Sequence, residues 1–257
     1  MLRWIVTLLL AGSSAVAAGD PAATPTGPTE FTLDNGLRVV LQPRHEVPMI
    51  AATAIVGAGS ALEDADFSGA SHFLEHLLFN GTSTMDQDAL YDAVDRIGGY
   101  NNAHTDEDHT YFTMLVPSEH AAVGLEIQAA MLFDSTLPAD KFDKERGIIL
   151  EELARDRSRP GHEAQVAIRD ALWTATPYAR PVIGTYDSLA GIGLDRVRAY
   201  WDARYVPGNV VLWVLGDFDP AATRAAIERT YGSFDRPGGP PALPDPFAGA
   251  DGAALIR

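Results

Sequence analysis

Apolar residues recur along this chain at two different spacings, and each spacing predicts a different kind of element. Alternation over residues 31–41, interrupted by Asp-Asn-Gly at 34–36, predicts a β-hairpin. Apolar runs over residues 49–56 and 209–215 predict two further strands, and residues 100–116 are rich in β-forming side chains. These segments together predict a sheet.

Helical periodicity, in which apolar residues recur every three to four positions, predicts seven helices. They cover residues 69–79, 85–97, 118–133, 138–157, 163–173, a segment ending near 205, and 220–231. Gly81 is expected just after the first helix, and Ser118 is expected to cap the third. Because strands and helices are grouped rather than strictly alternating, we predict an α+β domain with an antiparallel or mixed sheet flanked by helices.

The N-terminal residues have the pattern of a secretory signal peptide. Arg3 precedes the apolar stretch 4–10, and small residues at 15–18 suit a cleavage site, although an uncleaved anchor is the alternative. We therefore expect a periplasmic or extracellular protein with no stable membrane insertion after cleavage. The predicted divisions are a signal peptide (1–18), a linker (19–28), one domain (29–236) and a linker-like tail (237–257).

The composition narrows the classes of partner and ligand. The 257 residues carry a net charge of −16, which argues against nucleic acid or an anionic membrane as the main partner. The sequence contains no cysteine, so thiolate ligands are excluded. Any metal site must use histidine and carboxylate side chains.

Residues 72–76 read His-Phe-Leu-Glu-His within a predicted helix. His72 and His76 are four residues apart, so they project from the same helix face and can bind one zinc ion. Glu75 reaches the same side and can take a proton from a zinc-bound water. A chance occurrence has a probability of roughly 1%, and the apolar neighbours argue against a plain solvated helix. Manganese or cobalt could occupy the same ligands.

A third ligand is expected from the predicted helix 138–157. Glu145 and Glu152 share its apolar face, whereas Glu151 lies on a charged face with Arg155 and is expected to form solvent ion pairs. Glu145 and Glu152 are about 10 Å apart along the helix axis. One should bind the metal and the other should orient a histidine, but the spacing does not decide which.

The chain resembles the pitrilysin family of inverzincin zinc metallopeptidases. The resemblance rests on residues 33–37, 69–82, 145–152, 205–209 and 216–217. It implies that Glu152 is the third zinc ligand, that Glu145 is the auxiliary acid and that Glu75 is the base. It also implies a single αβ half of the pitrilysin type that carries one zinc ion.

The resemblance extends to substrate and partner. Residues 102–105 resemble the family's edge strand, so Asn102 and Ala103 would bind the backbone of an extended peptide. His104 and His109 are expected at the rim rather than on the metal. The expected activity is that of an endopeptidase on extended peptides or small unfolded proteins. It would be completed by a second half, which is a separate subunit, a homodimer mate or sequence lost from this chain. The alternatives are a non-catalytic peptide-binding subunit and a simple zinc-binding protein.

Overall fold

The computed structural model describes residues 27–174 and 176–244. The predicted signal peptide, most of the predicted N-terminal linker and residues 245–257 of the predicted tail lie outside these ranges. Within them, no helix is long and apolar enough to cross a membrane.

Six strands form one mixed sheet. They are β1 (Thr29–Thr32), β2 (Arg38–Pro43), β3 (Met49–Val56), β4 (Tyr100–Thr105), β5 (Thr110–Pro117) and β6 (Val210–Gly216). Their order across the sheet is β1-β2-β6-β3-β5-β4. Strands β2 and β6 are parallel, and the other neighbours are antiparallel. The predicted hairpin is confirmed as β1 and β2.

Eight α-helices accompany the sheet in the described residues. They are α1 (Ala70–Leu77), α2 (Gln87–Arg96), α3 (Ala121–Phe133), α4 (Ala139–Arg157), α5 (His162–Trp173), α6 (Tyr186–Gly191), α7 (Leu194–Arg204) and α8 (Pro220–Thr230). The predicted fold class, a mixed sheet flanked by helices, is confirmed.

The core lies between the helices and one face of the sheet. Alternate residues of β3 and β5 are buried, including Ile50, Phe112 and Met114, and β5 packs against α1 and α3. The opposite face is more open, because Trp213 and Leu215 of β6 are exposed. At one end of the sheet, β4 pairs only with β5, so its outer edge is unpaired in the described residues.

The prediction of β structure over residues 100–116 is confirmed, and a turn over residues 106–109 divides it into the antiparallel strands β4 and β5. Two other local predictions are wrong. Ser118 does not cap α3, since it begins a 3₁₀ turn and its hydroxyl has no hydrogen-bond partner in the described residues. Gly81 does not directly follow α1, because the helix ends two residues earlier than predicted. Gly81 instead forms an isolated β-bridge with Asp86.

One helix was missed altogether. Helix α6 is not among the seven helices that the apolar periodicity predicts. Its start is fixed by a capping box in which Thr185 and Ser188 each accept from the other's backbone N–H. The serine at the third position is a weaker signal than the glutamate of the usual box.

Candidate metal centre

Two packed helices supply the predicted site residues. Helix α1 provides His72, Glu75 and His76, and α4 provides Glu145 and Glu152. The two helices are in contact through aromatic side chains, since the rings of Phe73 and Phe142 stack with centroids 4.6 Å apart. This packing fixes the register of α4 against α1, and the register determines which carboxylate faces the histidines.

His72, His76 and Glu152 converge on one point. The Nε2 atoms of His72 and His76 lie 3.7 Å and 3.6 Å from Oε2 of Glu152. One ligand atom from each residue lies within 4.8 Å of the other two. Ligands of a tetrahedral zinc ion, each about 2.1 Å from the metal, are roughly 3.4 Å apart. The three side chains therefore fit a single ion.

The chemistry of the donor set also fits zinc. Two imidazoles and one carboxylate form a known catalytic zinc set, and that set leaves a fourth position for water or substrate. The Nε2 atom of His72 faces Glu152, whereas its buried Nδ1 atom has no hydrogen-bond partner in the described part of the chain. The residues present could therefore hold a zinc ion, with one coordination position free.

Glu145 occupies a different place from Glu152. Its Oε2 atom lies 3.2 Å from Nδ1 of His76, and its Oε1 atom accepts from Nδ2 of Asn80 at 3.2 Å. Glu145 is thus on the side of His76 that faces away from Glu152. The Glu145 side chain is only 7% exposed, whereas the Glu152 side chain is 35% exposed. Such a contact fixes the orientation of a ligating imidazole.

The electrostatics of the cluster are dominated by burial and by the carboxylates. Burial lowers the pKa of His72 to about 4, with a further contribution from the charge of His76. Burial would also lower the pKa of His76, but hydrogen bonds to Glu145 and Glu152 raise it to about 9. The bond to His76 lowers the pKa of Glu152. Burial opposes ionisation of Glu145, yet bonds from His76 and Asn80 lower its pKa. Both carboxylates are therefore ionised at neutral pH, which favours a divalent cation.

Glu75 lies beside the cluster without belonging to it. Its Oε2 atom accepts a hydrogen bond from the hydroxyl of Thr105 on β4. Burial raises the pKa of Glu75, and the Thr105 bond opposes that rise. Thr105 is not among the site residues predicted from the sequence. The signal that could have identified Thr105 is strand alternation, which places it on the same face of β4 as Asn101 and Ala103.

A cleft opens over the cluster. A cavity of about 1100 Å³ is lined by His72, Glu75, His76 and Glu152, and by Asn102 and Ala103 of the edge strand. A smaller cavity of about 250 Å³ also reaches Glu75, His76 and Asn102. Glu75 thus lies where the two spaces meet. The structure brings all seven predicted site residues to this region.

The remaining sequence predictions concern neighbouring charged residues. His104 and His109 lie on either side of Asp106, at 3.4 Å and 3.6 Å from its carboxylate oxygens, outside the cluster. Glu151 is exposed as expected, but its predicted ion pair with Arg155 is wrong. Arg155 instead lies 4.0 Å from Glu152, because a spacing of three residues brings it over that carboxylate.

Comparison with known proteins identifies two matching family models. Residues 38–186 match the model for insulinase, peptidase family M16, and residues 191–253 match that for the peptidase M16 inactive domain. An uncharacterized zinc protease of Bacillus subtilis, YmxG, is 32% identical over 208 residues, covering 81% of this chain and 51% of the relative. An uncharacterized zinc protease of Mycobacterium tuberculosis, Rv2782c, is 32% identical over 83% of this chain and 49% of the relative. The chain spans about half the length of the curated relatives it matches.

Solved structures show the same fold. A protease from Helicobacter pylori superposes with a TM-score of 0.80 and 26% identity, covering 86% of this chain and 53% of that protein. The first half of the periplasmic protease PqqL from Escherichia coli gives a TM-score of 0.78 and 25% identity, covering 84% of this chain and 48% of that protein.

Proposed function

Because the chain belongs to the insulinase family of peptidases, family M16, we propose that it is the zinc-bearing half of a zinc-dependent endopeptidase. This membership confirms the resemblance to the pitrilysin family, and relatives within it are named zinc proteases. The proposed ligands are His72, His76 and Glu152, holding one zinc ion, and Glu75 is the proposed base. The observation that carries the proposal is the convergence of three ligand atoms within 4.8 Å beside the carboxylate of Glu75.

Bound zinc would supply Lewis-acid polarisation of the peptide carbonyl and a lowered pKa for the attacking water. Glu75 takes the proton from that water and passes it to the leaving amine, and its raised pKa suits both tasks. Thr105 holds the Glu75 carboxylate in place through its hydroxyl. Glu145 holds His76 through Nδ1, so that Nε2 of His76 is directed toward Glu152.

We propose that the substrate is an extended peptide bound along β4. Within residues 27–174 and 176–244 the outer edge of this strand has no paired strand, so a peptide can add there as a further strand. Asn102 and Ala103 line the cleft beside the cluster, so a peptide paired there would pass close to Glu75. The 1100 Å³ cleft suits an unfolded segment better than a folded domain.

The experiment that tests the proposed function is hydrolysis of an internally quenched peptide, assayed with and without a chelator. We expect slow zinc-dependent cleavage by this chain alone. A larger rate is expected when a second half is present, because closure excludes water and adds contacts to the transition state. Cleavage that is unchanged after complete removal of the metal would contradict the proposal.

A second candidate is a non-catalytic peptide-binding subunit. It is favoured by the match of residues 191–253 to the model for the peptidase M16 inactive domain. The same assay separates the two functions. A non-catalytic subunit would bind zinc and peptide without turnover, both alone and with a second half.

We also propose that the protein is exported. The proposal rests on the signal-like pattern of residues 1–18, and it is supported by the likeness to the first half of PqqL, a periplasmic protease. The corresponding substrates would be extended peptides or small unfolded proteins outside the cytoplasm.

A further inference from the structure

The start of the zinc-bearing helix lacks a capping side chain of its own. Helix α1 has only eight residues, and its N-cap residue is Gly69 in a left-handed conformation with φ of 95°. The first N–H groups of a helix have no acceptor within the helix, and a glycine cannot supply one from a side chain. His72, a proposed zinc ligand, lies in this first turn.

Glu63 satisfies two of these groups from outside the helix. Its Oε2 atom accepts from the Gly69 N–H at 2.8 Å, and its Oε1 atom accepts from the Ser71 N–H at 2.6 Å. The residue is buried, at 5% exposure. Burial raises the pKa of Glu63 to about 7, although the bonds from Ser71 and Gly69 oppose that rise. The ionised carboxylate also complements the positive end of the helix dipole.

Glu63 is itself held in place. The guanidinium of Arg180 donates from Nη2 to the backbone oxygen of Glu63 at 2.6 Å. Arg180 precedes residues 181–185, which line the cleft over the metal cluster. The same segment touches the start of α1, because a Cβ atom at Gly184 would lie 2.6 Å from the Ser68 oxygen. The carboxylate of Glu63 is therefore held by the start of α1, and its backbone is held by Arg180, next to the segment that lines the cleft.

The two proposed histidine ligands are oriented by different means. His76 is held by Glu145 through a 3.2 Å contact at Nδ1. The Nδ1 atom of His72 is buried and has no such partner in the described residues. The direction of the His72 ring therefore depends on its backbone and on packing against the His76 ring, 4.8 Å away between centroids. The adjacent Ser71 N–H is one of the two groups that Glu63 binds.

We propose that Glu63 is a positioning residue for the metal centre: it fixes the first turn of α1 and thereby directs the His72 imidazole toward the zinc position. This inference rests on the proposed function, because it requires His72 to be a ligand. Glu63 touches neither substrate nor metal. Its effect is transmitted through Ser71 to His72.

The test is Glu63→Gln, measured at pH 8, where Glu63 of the wild type is ionised. Glutamine keeps the shape but presents an NH₂ group to one backbone N–H. We expect zinc affinity to fall about tenfold or more, within the range for outer partners of a metal site. We also expect the visible absorption of the cobalt-substituted protein to change, since it reports ligand geometry.

A matched control is Asp219→Ala, which removes a cap from α8, away from the site. Asp219 accepts from the Ala222 N–H at 2.8 Å. This variant should lower the Tm without changing zinc affinity or the cobalt spectrum. If Glu63→Gln does not fold, Glu63→Asp replaces it as the test, since it keeps the charge on a shorter side chain. It should still weaken zinc binding measurably, because the shorter side chain cannot reach both backbone N–H groups.

The outcomes distinguish a failure of the proposed function from a failure of the role proposed for Glu63. A wild-type chain that binds no zinc overturns both the proposed function and this inference. A wild type that binds zinc, together with a folded Glu63 variant of unchanged affinity and unchanged cobalt spectrum, overturns only the role of Glu63. A folded variant that changes both readouts, beside an unaffected Asp219→Ala control, supports it.

Discussion

Replacing Glu75 with glutamine is expected to lower kcat for peptide hydrolysis by about 10²–10⁴-fold, while zinc stays bound. Glutamine keeps the size of the side chain and the contact with Thr105, but it cannot accept the proton of the attacking water. Since Glu75 is outside the group of proposed ligands, metal affinity should change little. The measurement is kcat for a quenched peptide, alongside zinc content by mass spectrometry.

A suitable control for this variant is Glu119→Gln, which alters an exposed carboxylate at the start of the turn before α3. It should leave both kcat and zinc content at the wild-type level. Wild-type turnover in Glu75→Gln would show that another group acts as the base. Loss of zinc from that variant would show that Glu75 is a ligand.

The second large effect concerns two adjacent glutamates on α4. Glu152→Ala is expected to weaken zinc binding by about 100-fold or more, beyond the usual range for residues that only orient a ligand. Glu151→Ala should leave zinc binding unchanged, because Glu151 is exposed and lies outside the cluster. Both substitutions remove the same carboxylate from the same helix, so helix propensity and net charge change equally.

Competition titration with a zinc-binding dye measures both dissociation constants. Equal weakening in the two variants would point to net charge rather than coordination as the cause. No weakening in either would exclude Glu152 as the third ligand and direct attention to Glu145.

Much of the fold was predictable because its signals are local. The hairpin turn at residues 34–36 and the helical periodicity of α4 identified elements that the structure contains. Errors arose where tertiary contacts determine the ends of elements. Ser118 is a common N-cap residue, yet the backbone at Pro117 and Ser118 begins a 3₁₀ turn, and α3 starts only at Ala121.

The sequence indicates the role of some candidate site residues and not of others. The spacing of His72 and His76 is a property of one helix, so the sequence alone indicated a metal. Helix periodicity left Glu145 and Glu152 as alternatives, and the family resemblance implied Glu152. Deriving that choice physically requires the register of α4 against α1, which depends on packing such as that of Phe73 on Phe142. Periodicity carries no information about that register.

Two further residues show why the surroundings of the site could not be predicted. Thr105 reaches Glu75 from a strand 30 positions away in sequence. Glu63 reaches the start of α1 from a segment without regular periodicity, between two 3₁₀ turns. Both contacts arise from the way separate segments meet in space. Alternation along β4 indicates the face on which Thr105 lies, but no spacing pairs Thr105 with Glu75 or Glu63 with α1.

The most direct test of the zinc centre is anomalous X-ray diffraction at the zinc edge from crystals of the zinc-loaded chain. We predict one anomalous peak about 2.0–2.2 Å from Nε2 of His72, from Nε2 of His76 and from a carboxylate oxygen of Glu152. Glu145 should remain on Nδ1 of His76. A peak coordinated by Glu145, or no peak between the two histidines, would contradict the account.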